Sequence, residues 1–138
     1  MSPDSPCEDP EPPRPLCGSD LLRPQVPLAY NPRTTLPPAP IRAELDRIAR
    51  AMHDEPSWQM LRVEVYATQD PGTDDVAKSR ALIDTQARAE AIFAYLYHRR
   101  RVSAERLDAV GYGYSPRATP TSASERYTVL LRLVHRTR

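Results

Sequence analysis

The stretch RRRVSAERLDAVGYGYSPRA, residues 99–118, combines several constraints that decide the fold. The basic run from His98 to Arg101 is typical of a helix C-terminus, because cations are favourable at the negative end of the helix dipole. After a short turn the chain becomes strand-forming at Leu107, and Gly111 and Gly113 lie near the end of that strand. Glycine permits backbone conformations that a side chain would forbid. The stretch therefore predicts a helix, a turn and a strand with a glycine-rich end.

Two helices are predicted upstream of this stretch. The first begins near Pro40 and ends before Pro56, with apolar residues at a 3.6-residue period, namely Ile41, Leu45, Ile48, Ala49 and Met52. The second runs roughly from Asp75 to His98, and its apolar stripe contains Leu82, Ala89, Ile92 and Leu96, widened by Phe93.

Four segments favour strands: 25–31, 58–67, 107–118 and 126–135. The resulting order is β-α-β-α-β-β, in which helices alternate with strands until a terminal pair of strands. Such alternation indicates an α/β sandwich in which helices pack on one sheet.

Proline divides the chain of 138 residues, because 12 of its 16 prolines fall within the first 40 residues. Residues 1–23 are acidic and proline-rich, which predicts a linker or tail, and residues 24–138 form the predicted domain. Two cysteines, Cys7 and Cys17, lie in the proline-rich part. They could form a disulfide in an oxidising compartment or remain free thiols in the cytosol. Without neighbouring histidines they make a poor zinc site.

The composition argues against several classes of protein. The net charge is +1 with charges of both signs, so no basic face for nucleic acid is expected. No apolar run approaches the roughly 20 residues of a membrane-spanning helix. The N-terminus lacks the basic and apolar regions of a secretory signal, so either the protein stays inside the cell or the chain lacks its export signal.

No catalytic motif is recognisable in the sequence. There is no Ser-His-Asp set at known spacing, no glycine-rich phosphate loop and no paired-histidine metal motif. The three histidines, His53, His98 and His135, fall at the ends of predicted elements, where surface positions are expected. We therefore expect a protein that is not an enzyme and that needs no cofactor or metal.

Six stretches, in order, resemble the OmpA-like peptidoglycan-binding domain: LAYNPRTTL, LDRIARAM, VEVYATQD, RAEAIFAYL, VSAERLDAVGYGYSP and ERYTVLLRL. They cover about residues 25–135. The resemblance is specific in the second half, where an Arg-Ala pair on a helix precedes Arg-Leu and Gly-Tyr-Gly, and looser in the first half. It implies the α+β fold of that family, a β-α-β-α-β-β two-layer sandwich with two helices packed on one face of a mixed sheet.

The resemblance also implies a binding site. In the family, an aspartate after the second strand accepts the ammonium of diaminopimelate, and the arginine of the Arg-Ala pair binds its carboxylate. A zwitterion needs such an anion and such a cation. The arginine matches Arg88 and the family threonine matches Thr68, but Gln69 stands at the aspartate position with Asp70 one residue later. Arg126 is the best match to an arginine of the terminal family motif.

Structural interpretations compete with this one at two positions. Arg88 could be a surface residue ion-paired with Glu90 and Asp84, and Asp70 could cap a turn before Pro71-Gly72. The decisive question is whether the chain has left the sheet by Gln69. A shift of one residue is absorbed in a loop, whereas in a strand it turns the side chain to the opposite face.

The resemblance implies an envelope module, periplasmic and associated with the outer membrane, that binds peptidoglycan peptide stems non-covalently. Envelope proteins are further partners to consider. The alternative is a degenerate domain that serves as a structural or protein-interaction module without binding peptidoglycan. A third hypothesis is a cytosolic module that uses a basic patch at residues 99–101 and 132–138.

Overall fold

The computed structural model describes residues 20–22, 28–30, 35–116 and 126–134. Its elements, in chain order, are strand β1 (Ala29–Tyr30), helix α1 (Ala39–Asp54), strand β2 (Met60–Ala67), helix α2 (Asp75–Ala94), a π-helical turn (Tyr95–Arg99), a 3-10 turn (Ala104–Arg106), strand β3 (Leu107–Tyr114) and strand β4 (Tyr127–Val134). The predicted β-α-β-α-β-β order is confirmed.

The four strands form one mixed sheet in the order β1-β4-β2-β3. The central strand β2 is parallel to β3, which follows α2, and antiparallel to β4, while β1 pairs antiparallel with β4. Alternate residues of β2, Leu61, Val63 and Val65, join the hydrophobic core with residues of both helices. The predicted α+β sandwich, with two helices on one face of the sheet, is confirmed.

Helix α1 has the amphipathic pattern that the sequence predicts. All five residues of the predicted stripe are buried: Ile41, Leu45, Ile48, Ala49 and Met52. Proline occupies the first turn, where its missing N–H costs nothing, and the helix ends at Asp54, before Pro56. The periodicity of α1 therefore translates directly into packing against the sheet.

Helix α2 departs from the prediction in its first half. Asp74 caps it, accepting a hydrogen bond from the Val76 N–H at 2.9 Å. Leu82, predicted in the buried stripe, is 50% exposed. It lies over Gly113 near the end of β3, at the rim of a cleft that is separate from the candidate site described below. The buried residues of α2 begin only at Thr85, and two of the four, Thr85 and Arg88, are polar. The middle of the helix therefore makes polar contacts on its inward side.

The packed part of the chain begins earlier than the predicted boundary at residue 23. The Leu22 N–H donates to the Leu131 carbonyl at 2.8 Å, the Leu133 N–H donates to the Asp20 carbonyl at 2.8 Å, and the Leu22 side chain joins the core. Residues 20–22 can pair there because β1 pairs only with the first residues of β4. Cys7 and Cys17 lie outside the described residues.

Candidate functional site

The chain has left the sheet by Gln69, at the start of the loop after β2. Strand β2 ends at Ala67, and the Thr68 N–H makes one more bond to the sheet, donating to the Arg126 carbonyl at 3.0 Å. Gln69 and Asp70 then lie beyond the sheet and are exposed. Because both residues are in the loop, their side chains do not have to point to opposite faces of the sheet, as neighbouring side chains of a strand do.

Asp70 is held in a turn of its own. Its Oδ1 accepts a hydrogen bond from the Gly72 N–H at 2.8 Å, and Gly72 has a φ of 71°, a conformation that favours glycine. The interpretation of Asp70 as a turn-capping residue is therefore confirmed. One carboxylate oxygen is engaged in this way, although Asp70 also lines a cleft.

That cleft has a volume of about 300 Å³ and lies between the loop after β2, the first turns of α2 and the start of β4. It is lined by Ala67, Gln69, Asp70, Pro71, Ala77, Arg80, Ala81, Asp84, Arg126 and Tyr127. Three of the five predicted ligand-binding residues, Gln69, Asp70 and Arg126, therefore meet there. Thr68 and Arg88 are not among the residues that line it. Carboxylates and guanidinium groups are both present, so the cleft carries both charges of a zwitterion site.

Arg88 contacts two residues that line this cleft, Asp84 and Tyr127. It is only 4% exposed, so the prediction of a surface position for Arg88 is wrong. Its Nη1 donates to the Asp84 carbonyl at 2.9 Å, and its Cζ lies 3.8 Å from the ring centroid of Tyr127 and 5.8 Å from that of Tyr30. The guanidinium is thus covered by the ring of Tyr127, and aromatic faces attract cations.

Tyr127 connects the buried arginine to the cleft. Its hydroxyl donates to Oδ2 of Asp84 over 3.4 Å, a long hydrogen bond. Burial raises the pKa of Tyr127, the Arg88 cation opposes this shift and the Asp84 carboxylate adds to it. The phenol therefore stays protonated at neutral pH and can donate to Asp84.

Three cleft residues were missed from the sequence: Arg80, Asp84 and Tyr127. A signal for two of them existed, because Arg80, Asp84 and Arg88 are four residues apart and share one face of α2. Ala77 and Ala81 lie on the same side of the helix and leave room for the cleft. No local pattern indicates Tyr127, whose position over Arg88 depends on the pairing of β4 with β2.

The structure is a small α+β sandwich with a cleft where the loop after a central strand meets the first turns of a helix. The family model described as the OmpA family matches residues 32–128. The chain belongs to the OmpA family. No helix in the described part of the chain is long and apolar enough to cross a membrane.

Several solved structures share this fold at low sequence identity. The peptidoglycan-associated lipoprotein from Burkholderia pseudomallei aligns with a TM-score of 0.55 at 18% identity, over 76% of this chain and 88% of that chain. The OmpA-like domain of FopA1 from Francisella tularensis gives a TM-score of 0.60 at 15% identity, over 80% and 73%. The cell wall anchor of the T6SS from Pseudomonas aeruginosa gives 0.54 at 21%, over 76% and 74%. No curated protein matches the chain.

Proposed function

We propose that this chain is a non-enzymatic module of the bacterial envelope that binds peptidoglycan non-covalently through the diaminopimelate of its peptide stems. Membership of the OmpA family supports this, as do neighbours described as a peptidoglycan-associated lipoprotein and a cell wall anchor. The same evidence favours a periplasmic, outer-membrane-associated location.

One observation carries the proposal: the cleft at the end of β2 gathers Gln69, Asp70 and Arg126 with Tyr127, whose ring lies over the guanidinium of Arg88. The free end of diaminopimelate carries an ammonium and a carboxylate on one carbon. Charge-assisted hydrogen bonds are roughly twice as strong as neutral ones, so a site with both signs of charge selects such a group. In this arrangement Arg88 binds the carboxylate, Gln69 or Asp70 receives the ammonium, and Thr68 and Arg126 support them.

A second candidate function is favoured by two specific contacts. Arg88 is covered by Tyr127, and Asp70 is engaged with Gly72, so the charged pair expected from the family does not meet in an open cleft. A structural or protein-interaction module that has lost the ligand would have these features. Binding to peptidoglycan separates the two functions.

The basic-patch hypothesis has less support. Arg100 forms an ion pair with Asp46 at 2.6 Å, and Arg132 forms one with Glu64 at 2.8 Å. Each pair neutralises a cation that the patch would need. A phosphate-binding module would also show affinity that falls steeply with added salt.

We expect the purified protein to be retained on isolated diaminopimelate-type sacculi, and Arg88→Met to reduce its affinity for them at least about tenfold. Hydrogen bonds to charged groups contribute about 1.5 to 3 kcal/mol, and methionine keeps the buried volume while removing the charge. Co-sedimentation over a range of sacculus concentrations measures the affinity.

The matched control is Arg50→Met, which removes an exposed arginine from the other helix. Thermal melting of both variants establishes that they are folded. Failure of the wild-type protein to sediment with sacculi would favour the structural module, and equal retention of folded Arg88→Met would remove Arg88 from the site.

A further inference from the structure

We infer that Asp84, rather than Asp70, is the carboxylate that receives the ammonium of the ligand, and that the ring of Tyr127 covers the site formed by Asp84 and Arg88. The ligand class is an amino-acid head group, with ammonium and carboxylate on one carbon. This inference rests on the proposed function and assigns the ammonium to Asp84 in place of Gln69 or Asp70.

Asp84 and Arg88 are placed to bind the two charges of one head group. They are four residues apart on α2, so they lie one turn apart on the same face of the helix. Asp84 lines the cleft, and Arg88 lies against Tyr127, which also lines it. A small zwitterion in the cleft would therefore reach the Asp84 carboxylate directly, and the Arg88 guanidinium once the Tyr127 ring has moved.

The other acidic and polar candidates are less suitable. Gln69 can accept a hydrogen bond from an ammonium, but it brings no charge. Asp70 already uses Oδ1 to accept the Gly72 N–H at 2.8 Å, in a turn that fixes its direction. An ionised carboxylate has about four acceptor positions, so both aspartates keep capacity for an ammonium, but Asp84 is engaged by a longer bond, 3.4 Å from Tyr127, and lies on the same face of α2 as Arg88.

Tyr127 must turn away before a carboxylate can reach Arg88, since its ring lies 3.8 Å from the guanidinium. The relative strengths of the two contacts permit this exchange. A cation–π contact changes an equilibrium by about 2- to 30-fold, whereas a hydrogen bond to a charged group changes it by about 10- to 150-fold. The ligand carboxylate therefore displaces the Tyr127 ring. The apparent affinity is lower than that of an uncovered site by the equilibrium constant for moving the ring away.

Calorimetric titration with two synthetic stem peptides tests the inference, one with meso-diaminopimelate and one with L-lysine at the third position. The lysine peptide keeps the ammonium and lacks the carboxylate. Asp84→Asn should weaken binding of both peptides at least about tenfold, since it removes the charge that faces the ammonium. Arg88→Met should weaken binding of the diaminopimelate peptide alone. Asp84→Asn leaves the backbone carbonyl that holds Arg88 in place.

Variants of Tyr127 test the cover. Tyr127→Val should tighten binding of the diaminopimelate peptide by about 2- to 30-fold, because the guanidinium no longer has to be uncovered. Tyr127→Phe keeps the ring and loses only the long hydrogen bond to Asp84, so it should tighten binding much less than Tyr127→Val. The controls are Asp75→Asn, at an exposed carboxylate of the same helix, and Tyr97→Val, at an exposed tyrosine of the π-helical turn. Both should match the wild type.

The outcomes separate the inference from the proposed function. A loss at Asp70→Asn that equals or exceeds the loss at Asp84→Asn overturns the role of Asp84. Equal tightening by Tyr127→Val and Tyr127→Phe, or none by Tyr127→Val, overturns the role of the ring as a cover. If neither the wild-type protein nor Tyr127→Val binds peptides or sacculi, the proposed function fails together with the inference.

Discussion

Replacing Gly111 with alanine should destabilise the domain by about 3 to 5 kcal/mol, beyond the 1 to 3 kcal/mol that is usual for overpacking. A Cβ at this position would lie 2.1 Å from the backbone N of Gln86, 2.5 Å from its Cα and 2.5 Å from the carbonyl carbon of Thr85. These atoms belong to the backbone of α2, so no change of side-chain rotamer relieves the clash. The helix would have to move away from β3.

Urea denaturation compares this variant with Gly72→Ala. Gly72 has a φ of 71° and no heavy atom within 4 Å of the added Cβ, so its substitution carries backbone strain without a clash. A non-glycine residue in that conformation costs roughly 1 to 2 kcal/mol. A Gly111→Ala variant as stable as Gly72→Ala would mean that α2 does not contact β3 at this distance.

The close approach of α2 to β3 allows side chains of the helix to bond to backbone groups at the exposed edge of the sheet. β3 is an edge strand, and Gln86 provides hydrogen bonds that a further strand would otherwise make: its Oε1 accepts the Gly111 N–H at 2.7 Å and its Nε2 donates to the Ala109 carbonyl at 3.3 Å. Thr85 adds a bond, accepting the Gly113 N–H at 3.0 Å. Backbone groups that could pair with another chain are thereby satisfied.

The glycine-rich end of the stretch 99–118 was predicted from the sequence, but the structural reason for each of its two glycines was not. Gly113 has the positive φ that the pattern suggested, whereas Gly111 is required because a helix backbone lies against it. Positive φ is a local property, while helix–strand contact depends on the whole topology. The exposure of Leu82 has the same origin, because periodicity does not reveal where the sheet beneath a helix ends.

The site was predictable to the same degree. The family resemblance placed Gln69, Asp70 and Arg126 in one predicted site, and they line one cleft. Their positions follow from strand order and loop length. The burial of Arg88 was not predictable, because it depends on Tyr30 and Tyr127, which come from strands far away in sequence. Asp84 was predicted only as a possible ion-pair partner of Arg88, since one carboxylate on a helix is commonly a solvated residue.

The face of the sheet opposite the helices contains a buried carboxylate. Glu64 is 3% exposed and lies on the face of β2 shared with Tyr66. Its Oε2 accepts from Nε of Arg132 at 2.8 Å, and its Oε1 accepts from the Tyr66 hydroxyl at 3.0 Å. Burial, and to a smaller extent the hydrogen bond to Glu64, raises the pKa of Tyr66 to about 12, so this hydroxyl remains a donor at neutral pH. Tyr66 in turn stacks on Tyr112, with ring centroids 5.1 Å apart.

Arg132→Met should therefore destabilise the protein by about 2 to 4 kcal/mol, since it leaves the Glu64 charge buried without its cation. Loss of one partner from a fully buried pair costs about 3 to 5 kcal/mol, and the value is lower here because the Arg132 side chain is 34% exposed.

The double variant Glu64→Leu/Arg132→Met should recover to within about 1 kcal/mol of the wild type, because an apolar pair of similar volume carries no desolvation cost. Urea denaturation of the wild type, both single variants and the double variant gives the coupling energy. Additive losses would show that the two side chains are independent. With the expected recovery, the ion pair stabilises little, and its effect is to hold Tyr66, and through it Tyr112, in one orientation.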